Sequence, residues 1–205
     1  MMKLAIIVLL GAFSCWAFSS ELNDGGCSKY SYMVDGWNST LEEECLEEME
    51  SGNLDATAIV GLHLVDNNDI ERGLALLEKA GKRNNNFALY WLGTFHLKGL
   101  TPESNSSKSL GYFKKVKGEL EMSALISMAV IHAEGHVLPV DMEKAIELFK
   151  KAQEILEEPF FNVEAQEKIN SNNWLRYQWM MGGGELAFYI DKYKLDIGKV
   201  STVQK

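Results

Sequence analysis

Three stretches of this chain, starting at Ala56, Ala88 and Ala124, repeat one pattern of side-chain size. Each alanine is followed, five positions on, by a small residue (Gly61, Gly93 or Ala129), with apolar Val60, Leu92 or Met128 just before it. Leu64, His96 and His132 come next in register, then Asn67, Gly99 and Gly135. The spacing predicts a helix closed by a left-handed C-cap at Asn67, Gly99 or Gly135, where glycine or asparagine tolerates positive φ. A second helix follows in each unit, opened by Asp69, Asn105 or Asp141, whose side-chain oxygen suits an N-cap. It carries a small residue (Gly73, Ser109, Ala145) and then a bulky pair: Leu76–Leu77, Tyr112–Phe113 or Leu148–Phe149. It closes on Ala80, Val116 or Ala152 after Lys79, Lys115 or Lys151, a cation suited to the negative end of the helix dipole.

The period is 32 residues and then 36, read from positions 56, 88 and 124. Two helices per unit at such a period mean stacked helical hairpins, and the small residues mark where paired helices approach closely. With only 3 prolines, the composition also argues against a many-turned β architecture. The predicted fold class is all-α, a short α-solenoid of about three helix-turn-helix repeats with N- and C-terminal helical caps.

The motif Asp141, Lys144, Ala145, Phe149, Lys151, Ala152, with Ala88, Leu92, Gly93 and Gly99, resembles the Sel1-like repeat family, a relative of the tetratricopeptide repeat. The first unit departs most, with Asn67 for the turn glycine, Gly73 for the helix alanine and Leu64 for the aromatic. The resemblance covers about Leu54 to Leu156. It is specific for fold and says little about activity; its members with signal peptides tend to be interaction scaffolds or assembly factors of the bacterial cell envelope. The residues themselves show no Gly-x-Ser-x-Gly elbow and no phosphate loop, so no catalytic activity, cofactor or metal is expected. Some relatives bind or hydrolyse β-lactams, but those resembled forms carry a disulfide in each repeat. This chain has no cysteine in its three units.

Outside the repeats the chain divides into a leader (1–19), an N-terminal cap with an acidic helix (20–52), the solenoid (53–157) and an aromatic-rich C-terminal helical cap (158–205). Lys3 followed by the apolar run Leu4 to Phe13 reads as a secretory signal peptide, too short for a membrane span. The expected location is therefore secreted or periplasmic, without an integral membrane span once the signal is removed. Phe13 makes a poor lipobox and argues against a lipid anchor at Cys15. Export leaves Cys27 and Cys45 as an even pair in an oxidising compartment, and a disulfide between them is the economical reading.

In the acidic cap, Thr40 to Ser51 reads as a helix with Thr40 and Glu43 as a capping box and Gly52 as its stop. In the tail, Pro159 breaks the third unit, helical pattern resumes at Val163–Ile169 and Trp174–Met181, and Gly182, Gly183 and Gly184 stop it before a last short helix from Glu185 to Tyr193. The tail's rings either cover the open end of the solenoid or face a ligand.

A net charge of -9 removes electrostatic attraction to phosphate backbones, so the expected partner is a protein and not a nucleic acid. Candidate groove residues are those of the first helices that the repeat does not claim for the core: His63, Trp91, Phe95, Ser127 and Ile131. The alternative is an envelope hydrolase or small-ligand binder of β-lactam or cell-wall type, built on His96, His132 and Glu134. The repeated position of His96 and His132 favours packing, and Gly135 separates His132 from His136, breaking a zinc-binding face. Asn38 and Asn105 stand in Asn-x-Ser/Thr sites that a eukaryotic secretory pathway would read and a standard bacterial one would not.

Overall fold

A computed structural model describes residues 26–101, 104–135 and 139–197. The leader, Cys15 and His136 lie outside them. Ten α-helices follow one another among the described residues: α1 (Lys29–Val34), α2 (Ser39–Glu50), α3 (Leu54–Asp66), α4 (Ile70–Gly81), α5 (Asn86–Lys98), α6 (Ser106–Phe113), α7 (Glu121–Glu134), α8 (Met142–Phe161), α9 (Val163–Asn170) and α10 (Asn173–Lys192). A short 3-10 turn, Gly118–Leu120, leads into α7. The three units are the pairs α3–α4, α5–α6 and α7–α8, and α4 on α5 and α6 on α7 join them in series.

Small residues set each pair. A Cβ built on Gly73 would lie 2.6 Å from the Gly61 carbonyl oxygen and 2.8 Å from the Val65 amide nitrogen, so α3 and α4 meet backbone to backbone. In the second unit a Cβ on Gly93 would lie 2.8 Å from the Phe113 ring, and the buried Ser109 hydroxyl donates to the Gly93 carbonyl at 2.7 Å. In the third, Ala129, Ala145 and Phe149 are fully buried at the same positions. One set of three positions thus builds every hairpin, with bulk exchanged between them.

Asparagine opens most of the helices. Asn38, Asn53, Asn85, Asn105, Asn162 and Asn172 each accept a backbone N–H from the first turn, and Asp141 does the same for α8. Gly99 and Gly135 close their helices at φ +77° and +65°, as the repeat pattern requires.

Several local expectations are corrected. The cap of α2 is Asn38, not Thr40, because the asparagine carbonyl reaches the amides of both Thr40 and Leu41. Asp69 makes no cap bond and pairs instead with Arg72 at 2.8 Å. The left-handed residue after α3 is Asn68, at φ +66°, while Asn67 stays at φ -92°. Pro159 sits inside α8, near its end, where the loss of one N–H is tolerable; in the preceding turn the Leu156 carbonyl accepts the Trp179 indole N–H at 3.0 Å. The glycines 182–184 do not stop a helix. They lie within α10, where Gly182 faces Met122 and Gly183 faces Leu156 so closely that an added Cβ would press on both side chains. Gly182 and Gly183 mark close packing, as Gly61 and Gly93 do, whereas Gly184 has open space.

At the N-terminus, Cys27 and Cys45 form a disulfide that joins the segment before α1 to α2. The Cys27 amide also donates to Glu48 Oε1 at 2.8 Å.

Two outcomes follow from this packing. Gly73→Ala forces backbones apart and lowers stability by about 1–3 kcal/mol, whereas Gly111→Ala, in a helix with open space at the new methyl, raises it by roughly 0.5–1 kcal/mol. Denaturant midpoints of the two variants check the contrast, and a neutral Gly73→Ala contradicts it. The exported chain, denatured without reductant, exposes no free thiol at Cys27 or Cys45; two titratable thiols there would exclude the bridge.

Candidate functional site

The first helices of the units line one side of the array, and α10 crosses that side. It packs on α7, α8, α9, the 3-10 turn and α1, so the last helix of the chain meets the first. Between α10 and the repeats remains a cavity of about 460 Å3. Phe87, Tyr90 and Trp91 of α5 form one wall, Leu120 and Ser123 the floor towards α7, Met33 of α1 one end, and Trp174, Tyr177, Gln178, Met181 and Glu185 of α10 the opposite wall.

The helical period explains the walls. Phe87 and Trp91 are four apart, and Trp174, Tyr177, Gln178, Met181 and Glu185 follow the three-and-four spacing of one helical stripe. Ring contacts continue across the gap: Phe87 meets Trp174 edge-on at 5.9 Å, Trp174 stacks on Tyr177 at 5.9 Å, and Tyr177 meets Tyr30 of α1 at 6.1 Å. The Trp174 indole nitrogen is buried with no hydrogen-bond partner among the described residues.

Lys29 ties the ends together. Its ammonium pairs with Asp55 of α3 and Glu119 of the 3-10 turn, each at 3.0 Å, and lies 5.7 Å from the Trp174 ring centre. Burial pulls its pKa down, but the two carboxylates outweigh that and the net shift is upward. At the far end of α10, Glu134 of α7 accepts the Tyr193 hydroxyl at 2.7 Å and an ion pair from Lys192.

Glu185 is the one acidic or basic side chain on the cavity wall. No hydrogen bond or ion pair to its carboxylate forms among the described residues, and burial raises its pKa. Burial also pushes the Tyr90 hydroxyl up to about 12, with the neighbouring Glu185 charge adding to it.

The expected groove residues separate on this geometry. Trp91 lines the cavity. Ser127 is half-buried one turn beyond Ser123, donating to the Ser123 carbonyl at 2.9 Å. His63 lies under a lid: the Trp37 ring stacks on it at 3.9 Å and Tyr32 meets it edge-on at 6.2 Å. Phe95 and Ile131 are core residues, 4% and 0% exposed, so neither offers surface to a partner in this fold. Their helices are apolar nearly all round, and the pattern of one helix alone does not separate a covered face from an open one. Phe87 and Glu185 stand outside the expected residues, while Trp174 and Tyr177 belong to the tail's rings, for which facing a ligand is one of the two expectations. The stripe on α10 was the available signal, hidden when the glycine triplet is read as a stop.

Two residues of the alternative hydrolase reading, His96 and Glu134, are engaged in packing and pairing. His96 is buried, stacked on Tyr112 at 5.3 Å with Nδ1 2.9 Å from the Thr101 hydroxyl, and Glu134 is engaged with the end of α10. No cluster of His, Cys, Asp and Glu fit to hold a metal is present among the described residues. Nor is any helix there long and apolar enough to cross a membrane.

The Sel1 repeat family model matches residues 61–85, 86–115 and 123–152. Among solved structures, the chain is similar to a Sel1 repeat protein from Oxalobacter formigenes, at 20% identity and a TM-score of 0.50, over 62% of this chain and 97% of that one. It is also similar to c5321, a protective antigen of uropathogenic Escherichia coli strains with an SLR fold, at 16% identity and a TM-score of 0.53. That likeness covers 86% of this chain and 41% of the antigen. Identities this low carry the fold alone. No curated protein sequence matches the chain. Three matched repeats, and the paired helices they form, show that the chain carries a Sel1-repeat solenoid, the architecture shared by both structures.

Proposed function

We propose that this protein is an exported protein–protein interaction scaffold of the bacterial cell envelope, and that it holds its partner at the cavity between the repeats and α10. The observation that carries the reading is the cavity wall. Aromatic side chains from α5 and α10 converge there with little polar competition, and Met180 and Met181 stand beside it 60% and 56% exposed. Large rings and methionines offer much contact area at low entropic cost and are enriched where proteins bind one another. Export rests on the apolar leader and agrees with a disulfide at Cys27–Cys45.

Solenoids commonly bind along the surface lined by their first helices. Here Trp37 covers His63 at one end of that surface, and α10 covers the α7 end. The open remainder is the cavity. The partner therefore inserts a short segment or a few side chains, and does not lie along the whole array.

A photo-crosslinking residue placed at Met181 tests this in the native host, with the same residue at exposed Lys150 on α8 as control. The expected result is one crosslinked protein species in the exported fraction from Met181 and none from Lys150. The species is reduced at least about tenfold by Trp91→Ala, the loss of a hot-spot ring. Equal crosslinking from both positions, or a Met181 product indifferent to Trp91→Ala in a folded variant, would defeat the assignment.

A further inference from the structure

We infer that the cavity between α5 and α10 is built to receive an arginine side chain of the partner, with Glu185 as its counter-ion and the rings of Trp91 and Trp174 as its walls. The inference rests on the proposed binding of a partner at this cavity and specifies the chemistry of that site.

The charge pattern points to a cation. Glu185 is the one acidic or basic group on the wall, and it has no partner among the described residues. The nearest cation of α1, Lys29, is already held between Asp55 and Glu119. A half-buried carboxylate without a counter-ion favours a cationic ligand, whose binding would compensate its partial loss of water. The faces of Phe87, Tyr90, Trp91, Trp174 and Tyr177 carry negative quadrupole potential, which adds in the same direction. The chain's net charge of -9 draws basic partners from a distance.

The walls select the kind of cation. They supply few oxygen atoms, so a small inorganic ion would lose its hydration shell without replacement. A guanidinium is weakly hydrated, stacks on aromatic faces and forks onto a carboxylate, whereas an ammonium is a strongly hydrated point charge. Gln178 and Ser123 add further polar atoms at the floor and wall. The apolar stem of arginine suits the Met33 and Leu120 end. A volume of about 460 Å3 takes a side chain with part of its backbone, within the usual range for ligand cavities.

The test uses n-butylguanidinium and its neutral isostere n-butylurea on the purified exported chain, read by the indole N–H shifts of Trp91 and Trp174. The guanidinium should bind about tenfold or more tightly than the urea, a size that desolvated cation–π contacts with a counter-ion reach. Glu185→Gln should bring the ratio close to one, with the guanidinium losing more affinity than the urea, and Glu185→Asp should restore a preference for the guanidinium. Removing a half-buried, unpaired charge without changing shape should not lower the melting temperature of Glu185→Gln, which serves as its folding control. Equal binding of both probes by the wild-type chain, or binding of neither, overturns the arginine assignment whatever the variants do. A preference that survives Glu185→Gln overturns the role of that carboxylate. Self-association lost on Glu185→Gln would place the arginine on a second copy and overturn the assignment to a partner. The crosslink at Met181 is read independently, so partner binding at the cavity stands or falls on its own result.

Discussion

At Gly61 and Gly73 two helices come so close that carbonyl oxygens fill the space a methyl group would need. A like contact recurs with Gly93 beneath Phe113, and Ala129, Ala145 and Phe149 are fully buried at the matching positions of the third unit. Helices joined at such short range are fixed in angle as well as distance, because ridges of neighbouring side chains must fit around the bare spot. Each hairpin then presents its first helix in the same way. The aromatic wall of α5 follows from that geometry, since Phe87 and Trp91 sit on the face of the helix that the hairpin partner does not cover.

A stacked array leaves apolar surface along the side lined by its first helices and at its ends. This chain covers much of it with its own terminal segments. Trp37 closes over His63, and α10 lies against α7 at Gly182 and against α8 at Gly183. Polar ties at both ends hold the covering helix: Lys29 with Asp55, Glu119 and the Trp174 ring at one end, Glu134 with Lys192 and Tyr193 at the other. Cys27–Cys45 anchors the segment that carries Lys29. Disulfide, ion pairs and glycine triplet, far apart in sequence, thus bear on one cavity.

The repeats were legible because the same physical demand recurs three times and leaves the same small residues at the same offsets. Helix starts were legible in part. Asn105 and Asp141 cap as their chemistry suggests, while Asp69 is drawn away by Arg72, an exposed local pairing that propensity does not rank. The tail was misread because three consecutive glycines disfavour a helix locally, and only packing against Met122 and Leu156 reverses that preference. With α10 divided, its stripe from Trp174 to Glu185 was divided too, and half the site was lost. Phe95 and Ile131 show the complementary difficulty. Helices as apolar as α5 and α7 do not reveal which face remains open until the covering element is placed.

The central claim is that α10 is a continuous, docked helix that completes the cavity, and amide hydrogen exchange on the exported chain tests it most directly. The account predicts protection across residues 174–190 comparable with that of α5 and α7, including the amides of Gly182, Gly183 and Gly184, because a docked helix exchanges only when it opens from its neighbours. Exchange at these glycines on the timescale of an unstructured peptide, with α5 and α7 still protected, would contradict it.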